Sequence, residues 1–163
     1  MKRKITNTSG FTLVEILVVI GIIAILAGIV LIAINPSRQF AQARNLQRQS
    51  NVNEILNAVG QRIADNKGVF RLAGDTVCSQ NISTSTPMTI ASSTSAEDAF
   101  DINACLVPTY LPSLPIDPDS NRAYFNTASD YESGYVIQKD ATTTRITISA
   151  PYAELGEKIT VTR

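Results

Sequence analysis

The chain has 163 residues, with 14 basic and 14 acidic side chains and no histidine or tryptophan. A formal net charge of zero gives no general attraction to nucleic acid, and the lack of histidine removes the commonest acid–base residue and metal ligand. The sequence has no phosphate-binding loop, nucleophile elbow or zinc pattern, so an enzyme is the least favoured class of protein.

The first long segment is an apolar run from Phe11 to Ile34, in which Glu15 is the only charged residue. As an α-helix it would be about 36 Å long, enough to cross a hydrocarbon core of about 30 Å. A cleaved secretory signal is disfavoured because its apolar region is only about 7–15 residues long. The run therefore predicts a membrane-spanning helix.

The residues around the start of this run form a motif. The basic Lys2-Arg3-Lys4 is followed by Gly10-Phe11-Thr12-Leu13-Val14-Glu15 and the apolar helix. This arrangement resembles the leader and mature N-terminus of type IV pilins and their pseudopilin relatives. The resemblance implies that a prepilin peptidase cuts after Gly10 and that Phe11 becomes the methylated N-terminus. It also implies that the Glu15 carboxylate pairs with the Phe11 amine of an adjacent subunit.

The expected fold is α+β and pilin-like, with one long N-terminal helix whose second half packs on a small antiparallel sheet. We expect a leader at residues 1–10, a transmembrane or filament-core helix at 11–34 and an extracytoplasmic head at 35–163. The head divides into an amphipathic half-helix at 35–65, a connector at 66–121 and a sheet at 122–163. The helix should run continuously to about Ala64, with a kink or local melting at Asn35-Pro36.

The half-helix has an apolar and a polar face. Its apolar residues recur at three- and four-residue steps and should face the sheet: Leu46, Val52, Ile55, Leu56, Val59 and Ile63. The polar residues should face away from it: Arg38, Gln39, Gln42, Arg44, Gln47, Arg48, Asn51, Asn53, Glu54, Gln61 and Arg62. A solvated basic face is the simpler interpretation of the arginines near the start; contact with lipid phosphate or a neighbour's acids is the alternative.

The connector combines short predicted elements with two cysteines. We expect a strand at 69–72, an exposed loop at 79–95 and a helix at 96–107 that is capped by Ser95 and buries Phe100 and Leu106. Cys78 and Cys105 lie 27 positions apart, which suits a single disulfide in an exported domain. Two buried free thiols are the alternative.

A proline-rich passage at 108–118 lies near the end of the connector, with Tyr110, Leu111, Leu114 and Ile116 as apolar anchors. Asp117, Asp119 and Asn121 alternate as calcium ligands can, and pseudopilins often hold calcium near this region. The helix–loop–helix calcium motif is absent, so an Asp-Pro turn is the preferred interpretation and no cofactor is expected.

Four strands are predicted at the end of the chain, at 122–127, 134–139, 144–149 and 158–162, and Ser133-Gly134 should be a turn. Ile146 and Ile148 share one face, as do Ile159 and Val161. These strands predict an antiparallel sheet of three or four strands with one solvated face.

Together these features predict a structural subunit of a type IV pilus-like filament. Its expected partners are copies of itself, the prepilin peptidase, the pilus or secretion assembly machinery and the inner membrane, with the N-terminus in the cytoplasm. Alternatives are a type II secretion pseudopilin, stabilised by calcium, and a competence pilin. The competence pilin would bind DNA through arginines near the kink; nucleic acid is otherwise a disfavoured partner. A monomeric membrane-tethered binding domain is the alternative of another class; it would keep Met1.

Overall fold

The computed structural model describes residues 10–92 and 98–163. Residues 1–9 of the predicted leader (1–10) and the predicted cap Ser95 lie outside the described residues, so the leader and the cap stay predictions. The described chain forms two compact units, one ending at Phe40 and one at Ala41–Arg163. A long apolar N-terminal helix is followed by a small antiparallel sheet of five strands, which confirms the α+β, pilin-like prediction.

The N-terminal helical region consists of two helices, α1 at Leu13–Ile34 and α2 at Pro36–Asp65. Asn35 separates them in a left-handed backbone conformation, with φ of +46°. Its side-chain oxygen accepts a hydrogen bond from the Arg38 amide at 3.3 Å. Pro36 suits the first position of a helix, where no amide donor is needed. The predicted continuous helix is therefore wrong, and the interruption lies at the predicted kink.

The inward face of α2 differs from the predicted apolar stripe. Val52, Ile55 and Val59 are fully buried, as expected, but Leu46 is 72% exposed. Four polar residues of α2 that do not belong to the predicted apolar face are also buried: Asn45, Arg48, Asn51 and Arg62. Leu46 precedes Val52 by six residues, which turns an α-helix through about 600°, so the two side chains lie about 120° apart.

The sheet has the strand order β1-β3-β4-β5, and β2 also pairs with β3. The strands are β1 at Met88–Ala91, β2 at Tyr124–Thr127, β3 at Asp130–Lys139, β4 at Ile146–Ala150 and β5 at Ile159–Thr162. All pairs are antiparallel. The predicted turn at Ser133-Gly134 is wrong, because both residues lie within β3.

The connector contains less regular structure than predicted. The segment 69–72 is not a strand, while the predicted loop at 79–95 contains β1. Within the described residues the predicted helix at 96–107 is reduced to α3, Asn103–Leu106. The cause is backbone pairing with β1: Thr89 donates to the Asp98 carbonyl at 2.9 Å, and Phe100 donates to the Thr89 carbonyl at 2.8 Å.

One apolar core joins α2, the connector and the sheet. It includes Ile55 of α2, Phe100 and Leu106 of the connector, and Ile137 and Ile148 of the sheet. The predicted inward positions of Phe100, Leu106, Ile146 and Ile148 are confirmed. Because each layer covers the apolar side of the other, this core holds Ala41–Arg163 together as a unit.

Candidate functional site

The predicted cleavage point lies just before α1. Gly10 and Phe11 are outside regular structure and exposed, Phe11 to 82%. Thr12 is the N-cap of α1, and its hydroxyl accepts a hydrogen bond from the Glu15 amide at 3.2 Å. The Glu15 carboxylate accepts from the Thr12 amide at 3.4 Å, which completes a capping box. Glu15 is therefore held close to the backbone at the point where cleavage would create an amine.

Thr12 is a functional candidate that the sequence prediction missed. The capping box requires Ser or Thr followed three residues later by Glu or Gln, and Thr12-Leu13-Val14-Glu15 has that spacing. The sequence alone could therefore have identified Thr12 as the N-cap of α1. The hydrogen bonds from Thr12 satisfy the Glu15 carboxylate locally, which lowers the cost of a charge next to an apolar helix.

The apolar surface of α1 is uncovered. None of its 22 residues is buried, and its length and composition are sufficient to cross a membrane. A helix that is apolar on all sides requires lipid or other apolar helices around it. This helix therefore makes the protein membrane-anchored and provides a surface for helix–helix contacts.

A buried polar network lies at the start of the second unit. Arg48 is 1% exposed, and its guanidinium donates to both Asp117 oxygens, at 2.7 and 2.9 Å. A third donor reaches Glu154 Oε2 at 2.9 Å. Arg44 also binds Glu154 through two hydrogen bonds, at 2.5 and 2.6 Å. The predicted basic face near the start of α2 consists of Arg38, Arg44 and Arg48. Arg44 and Arg48 are thus neutralised by carboxylates of the same chain.

The charges of this network shift the pKa values of its members. Hydrogen bonds from Arg44 and then Arg48 lower the pKa of Glu154 to about 2. The hydrogen bond to Asp117 raises the pKa of Arg48. The hydrogen bond to Glu154 likewise raises the pKa of Arg44. The pKa shifts of Glu154, Arg44 and Arg48 therefore all favour their charged forms.

The candidate calcium ligands are used in other contacts. Besides Arg48, the Asp117 carboxylate accepts the Asp119 amide at 2.9 Å. Asp119 in turn accepts the Asn121 amide at 3.1 Å. Within residues 10–92 and 98–163, no group of three acidic or cysteine side chains is placed to hold a metal. Calcium at Asp117, Asp119 and Asn121 stays a prediction, and the geometry gives Asp117 a different counter-ion.

Gly134 explains how Asp117 reaches its buried position. The Asp117 amide donates to the Ser133 carbonyl at 2.8 Å, which brings the proline-rich segment against β3. A Cβ on Gly134 would lie 2.7 Å from the Asp117 Cβ, and Gly134 has φ of +80°. The backbone conformation and the close approach both require glycine here.

Cys78 and Cys105 form a disulfide. Arg62 donates to the Cys105 carbonyl at 2.9 Å, and Arg71 donates to the Cys78 carbonyl at 2.6 Å. Arg62 also forms an ion pair with Asp75 at 2.5 Å. The disulfide is thus part of a set of contacts that fixes the loop after α2.

The fold and the N-terminal segment together define a pilin-like protein that is anchored by one apolar helix. Residues 5–31 match the family model of the prokaryotic N-terminal methylation motif, which is the hallmark of type IV pilins and pseudopilins. The match covers the N-terminal segment alone, so the similarity is to the processing and anchoring region of such proteins. No curated protein and no solved structure matches the chain.

Proposed function

We propose that the chain is a structural subunit of a type IV pilus-like filament. A prepilin peptidase cuts after Gly10, Phe11 is methylated, and subunits assemble through α1. The observation that carries the proposal is α1 itself, whose residues are all exposed and most of which belong to the methylation motif. Copies of the same helix provide the apolar surroundings that α1 needs outside the lipid.

The subunit starts as a single-pass inner-membrane protein with its N-terminus in the cytoplasm and its head, residues 35–163, outside. The head's disulfide supports this orientation, because disulfides persist in oxidising compartments. After cleavage, assembly machinery moves the subunit from the membrane into the extracellular filament.

Charge pairing sets the position of each new subunit. Hydrolysis of the Gly10–Phe11 peptide bond leaves a carboxylate on Gly10 and a positively charged amine on Phe11. The amine of one copy binds the Glu15 carboxylate of its neighbour, where few other polar groups are present. The attraction is strong in this setting because the apolar surroundings have a low dielectric constant.

Two observations favour the pilus subunit over its relatives. The type II secretion alternative predicts calcium, but Asp117 already binds Arg48 through both oxygens. The competence alternative predicts DNA binding by arginines near the kink, but Arg44 and Arg48 are paired with carboxylates. Arg38 is the remaining arginine of that predicted set.

The test is the mature N-terminus together with the assembly state. N-terminal sequencing and intact mass should give a chain that begins with methylated Phe11. Electron microscopy of material sheared from cells should show filaments that contain it. A native protein that retains Met1 and is extracted only as single copies would instead establish the membrane-tethered monomer.

A further inference from the structure

A cavity of about 470 Å³ lies in the second unit, at the end of α2. Its wall is formed by that helix end, by the loop after it and by the turn that joins β3 to β4. Two residues of this wall are basic, Arg71 and Lys139, and none of the described residues that line it is acidic. The volume falls in the range of small-molecule sites, about 300–1,000 Å³.

The two cations of the cavity differ from the other basic residues that are withdrawn from solvent. Five basic residues of the described chain are buried or half-buried, and three of them form ion pairs with carboxylates. Those pairs are Arg44–Glu154, Arg48–Asp117 and Arg62–Asp75. The other two are Arg71 and Lys139, and neither forms an ion pair with a described carboxylate. Charged groups that lose contact with water usually have a counter-ion, so both cations of this cavity lack one.

The neighbouring contacts hold these two residues in place without neutralising them. The Arg71 Nε donates to the Cys78 carbonyl at 2.6 Å, which is a neutral acceptor. The Lys139 amide donates to the Ser83 carbonyl at 2.9 Å, which fixes the backbone and leaves the ammonium group unused. Asp140 follows Lys139 in the chain, but its carboxylate accepts hydrogen bonds within its own turn.

The rest of the wall is apolar at the base and polar at the rim. Phe70, Ile82 and Ile146 are buried core residues that also line the cavity. Asn81 and Thr84 line it as well and are exposed, so an amide and a hydroxyl are available at the rim. An apolar base beside two cations suits a molecule that has an apolar body and a negative end.

We propose that this cavity binds a small carboxylic acid with an apolar body, whose carboxylate is the counter-ion of Arg71 and Lys139. A guanidinium group matches a carboxylate in shape as well as in charge. The acid can be a free molecule or the C-terminal end of a peptide, because both present the same chemistry. The inference does not depend on the proposed filament, since every residue that lines the cavity belongs to the second unit.

The first experiment titrates the full chain, labelled with nitrogen-15 in dodecylmaltoside micelles, with N-acetylleucine at neutral pH. We expect the backbone NMR signals of Arg71, Asn81 and Lys139 to shift and to saturate. N-Acetylleucine amide is the matched control, because it has the same apolar body without the charge, and it should leave these signals unchanged. 4-Methylpentanoic acid separates the two sources. Saturation with it as well indicates that a free acid is sufficient, and saturation with N-acetylleucine alone indicates a peptide end.

The second experiment repeats the titration with Lys139→Gln and with Arg71→Gln. Each variant should raise the Kd for N-acetylleucine about tenfold, because each removes one charge-assisted contact. Arg145→Gln is the matched control and should keep the wild-type Kd. Arg145 is exposed and lies in sequence between two residues of the wall, Thr144 and Ile146, but does not line the cavity.

Lys139→Gln is the decisive variant, because the described hydrogen bond of Lys139 comes from its backbone, whereas the Arg71 side chain also holds the loop at Cys78. An unchanged Kd in Lys139→Gln would overturn the proposal. So would the absence of saturation with N-acetylleucine, or an equal response to its amide. The assembly state of the chain does not enter these measurements, so a chain that forms no filaments would leave this result standing.

Discussion

Arg48 and Asp117 lie 69 positions apart in the chain and form a two-bond ion pair that is closed to solvent on both sides. Arg48 belongs to α2 and Asp117 to the segment before β2, whose Asp117 amide is bonded to Ser133 of β3, so the pair links α2 to the sheet side of the head. A buried pair whose geometry satisfies both charges is costly to break from one side, because the remaining charge has no partner.

The first prediction concerns this pair. Arg48→Met should lower the free energy of unfolding of the head by about 3–5 kcal/mol, because it leaves Asp117 buried and charged. Arg48→Met/Asp117→Leu should recover most of the loss, since no charge is left unpaired. Urea unfolding followed by circular dichroism measures both, and a double variant as unstable as Arg48→Met would contradict the argument.

A control comes from the partly exposed pair of Arg122 and Asp119, whose side chains are 57% and 31% exposed and whose charged atoms lie 3.5 Å apart. Exposed ion pairs contribute about 0–1 kcal/mol. Arg122→Met should therefore leave the urea midpoint nearly unchanged.

The second prediction is a dependence on pH. The pKa of Glu154 is about 2 in the fold against an ordinary value of 4.5, so the fold favours its ionised form. This stabilisation is complete above the ordinary pKa and is lost as pH falls from about 4.5 towards 2. Thermal melts of Glu154→Gln should show a lower Tm at neutral pH and a flatter decline in that window. Glu157→Gln, three residues later, should keep the wild-type pH profile.

The third prediction concerns calcium. Millimolar CaCl2 should not raise the Tm of the wild-type chain, because calcium would have to displace Arg48 from Asp117. Magnesium at the same concentration controls for ionic strength. A rise in Tm with calcium alone would instead favour the secretion pseudopilin.

The fourth prediction concerns the disulfide. Removing the cross-link in Cys78→Ser/Cys105→Ser should lower stability by about 3.5 kcal/mol, the loop-closure value for a separation of 27 residues. The same shift should follow from adding dithiothreitol to the wild type. Dithiothreitol should have no effect on the variant, and a further loss there would mean that the reductant acts elsewhere.

The fifth prediction separates insertion from assembly. Glu15→Ala should insert into the membrane and be cleaved, but filament yield should fall sharply because the Phe11 amine loses its counter-ion. Thr12→Ala is the comparison: it removes the N-cap hydroxyl but keeps the Glu15 charge, so its filament yield should fall less than that of Glu15→Ala. Normal filament yield from Glu15→Ala would contradict the pairing.

Much of this architecture could be predicted from the sequence, because the strongest patterns were local and apolar. The run that became α1, the break near Asn35 and the face shared by Ile146 and Ile148 all follow from residue type and spacing. Strand β1 was missed because Ser and Thr around it indicate a loop, while its pairing with β3 depends on residues far along the chain.

The buried polar residues of α2 were the main error at the candidate sites. Arg48 and Arg62 were assigned to the solvated face because charge usually marks exposure. Their partners, Asp117 for one and Asp75 for the other, cannot be recognised before the fold brings them together. Leu46 was misassigned for a related reason: its apolar character was given more weight than its angular offset from Val52.

The network at the start of the head has a mechanical consequence. Tension applied to α1 in the proposed filament would reach the second unit through Ala41, and the first side-chain hydrogen bonds to distant residues beyond it are those of Arg44, Asn45 and Arg48. Their bonds go to two residues, Glu154 and Asp117, so several hydrogen bonds must break before this part of α2 separates from the rest of the head. These bonds therefore stabilise the start of the second unit, which is where unfolding under tension on α1 would begin.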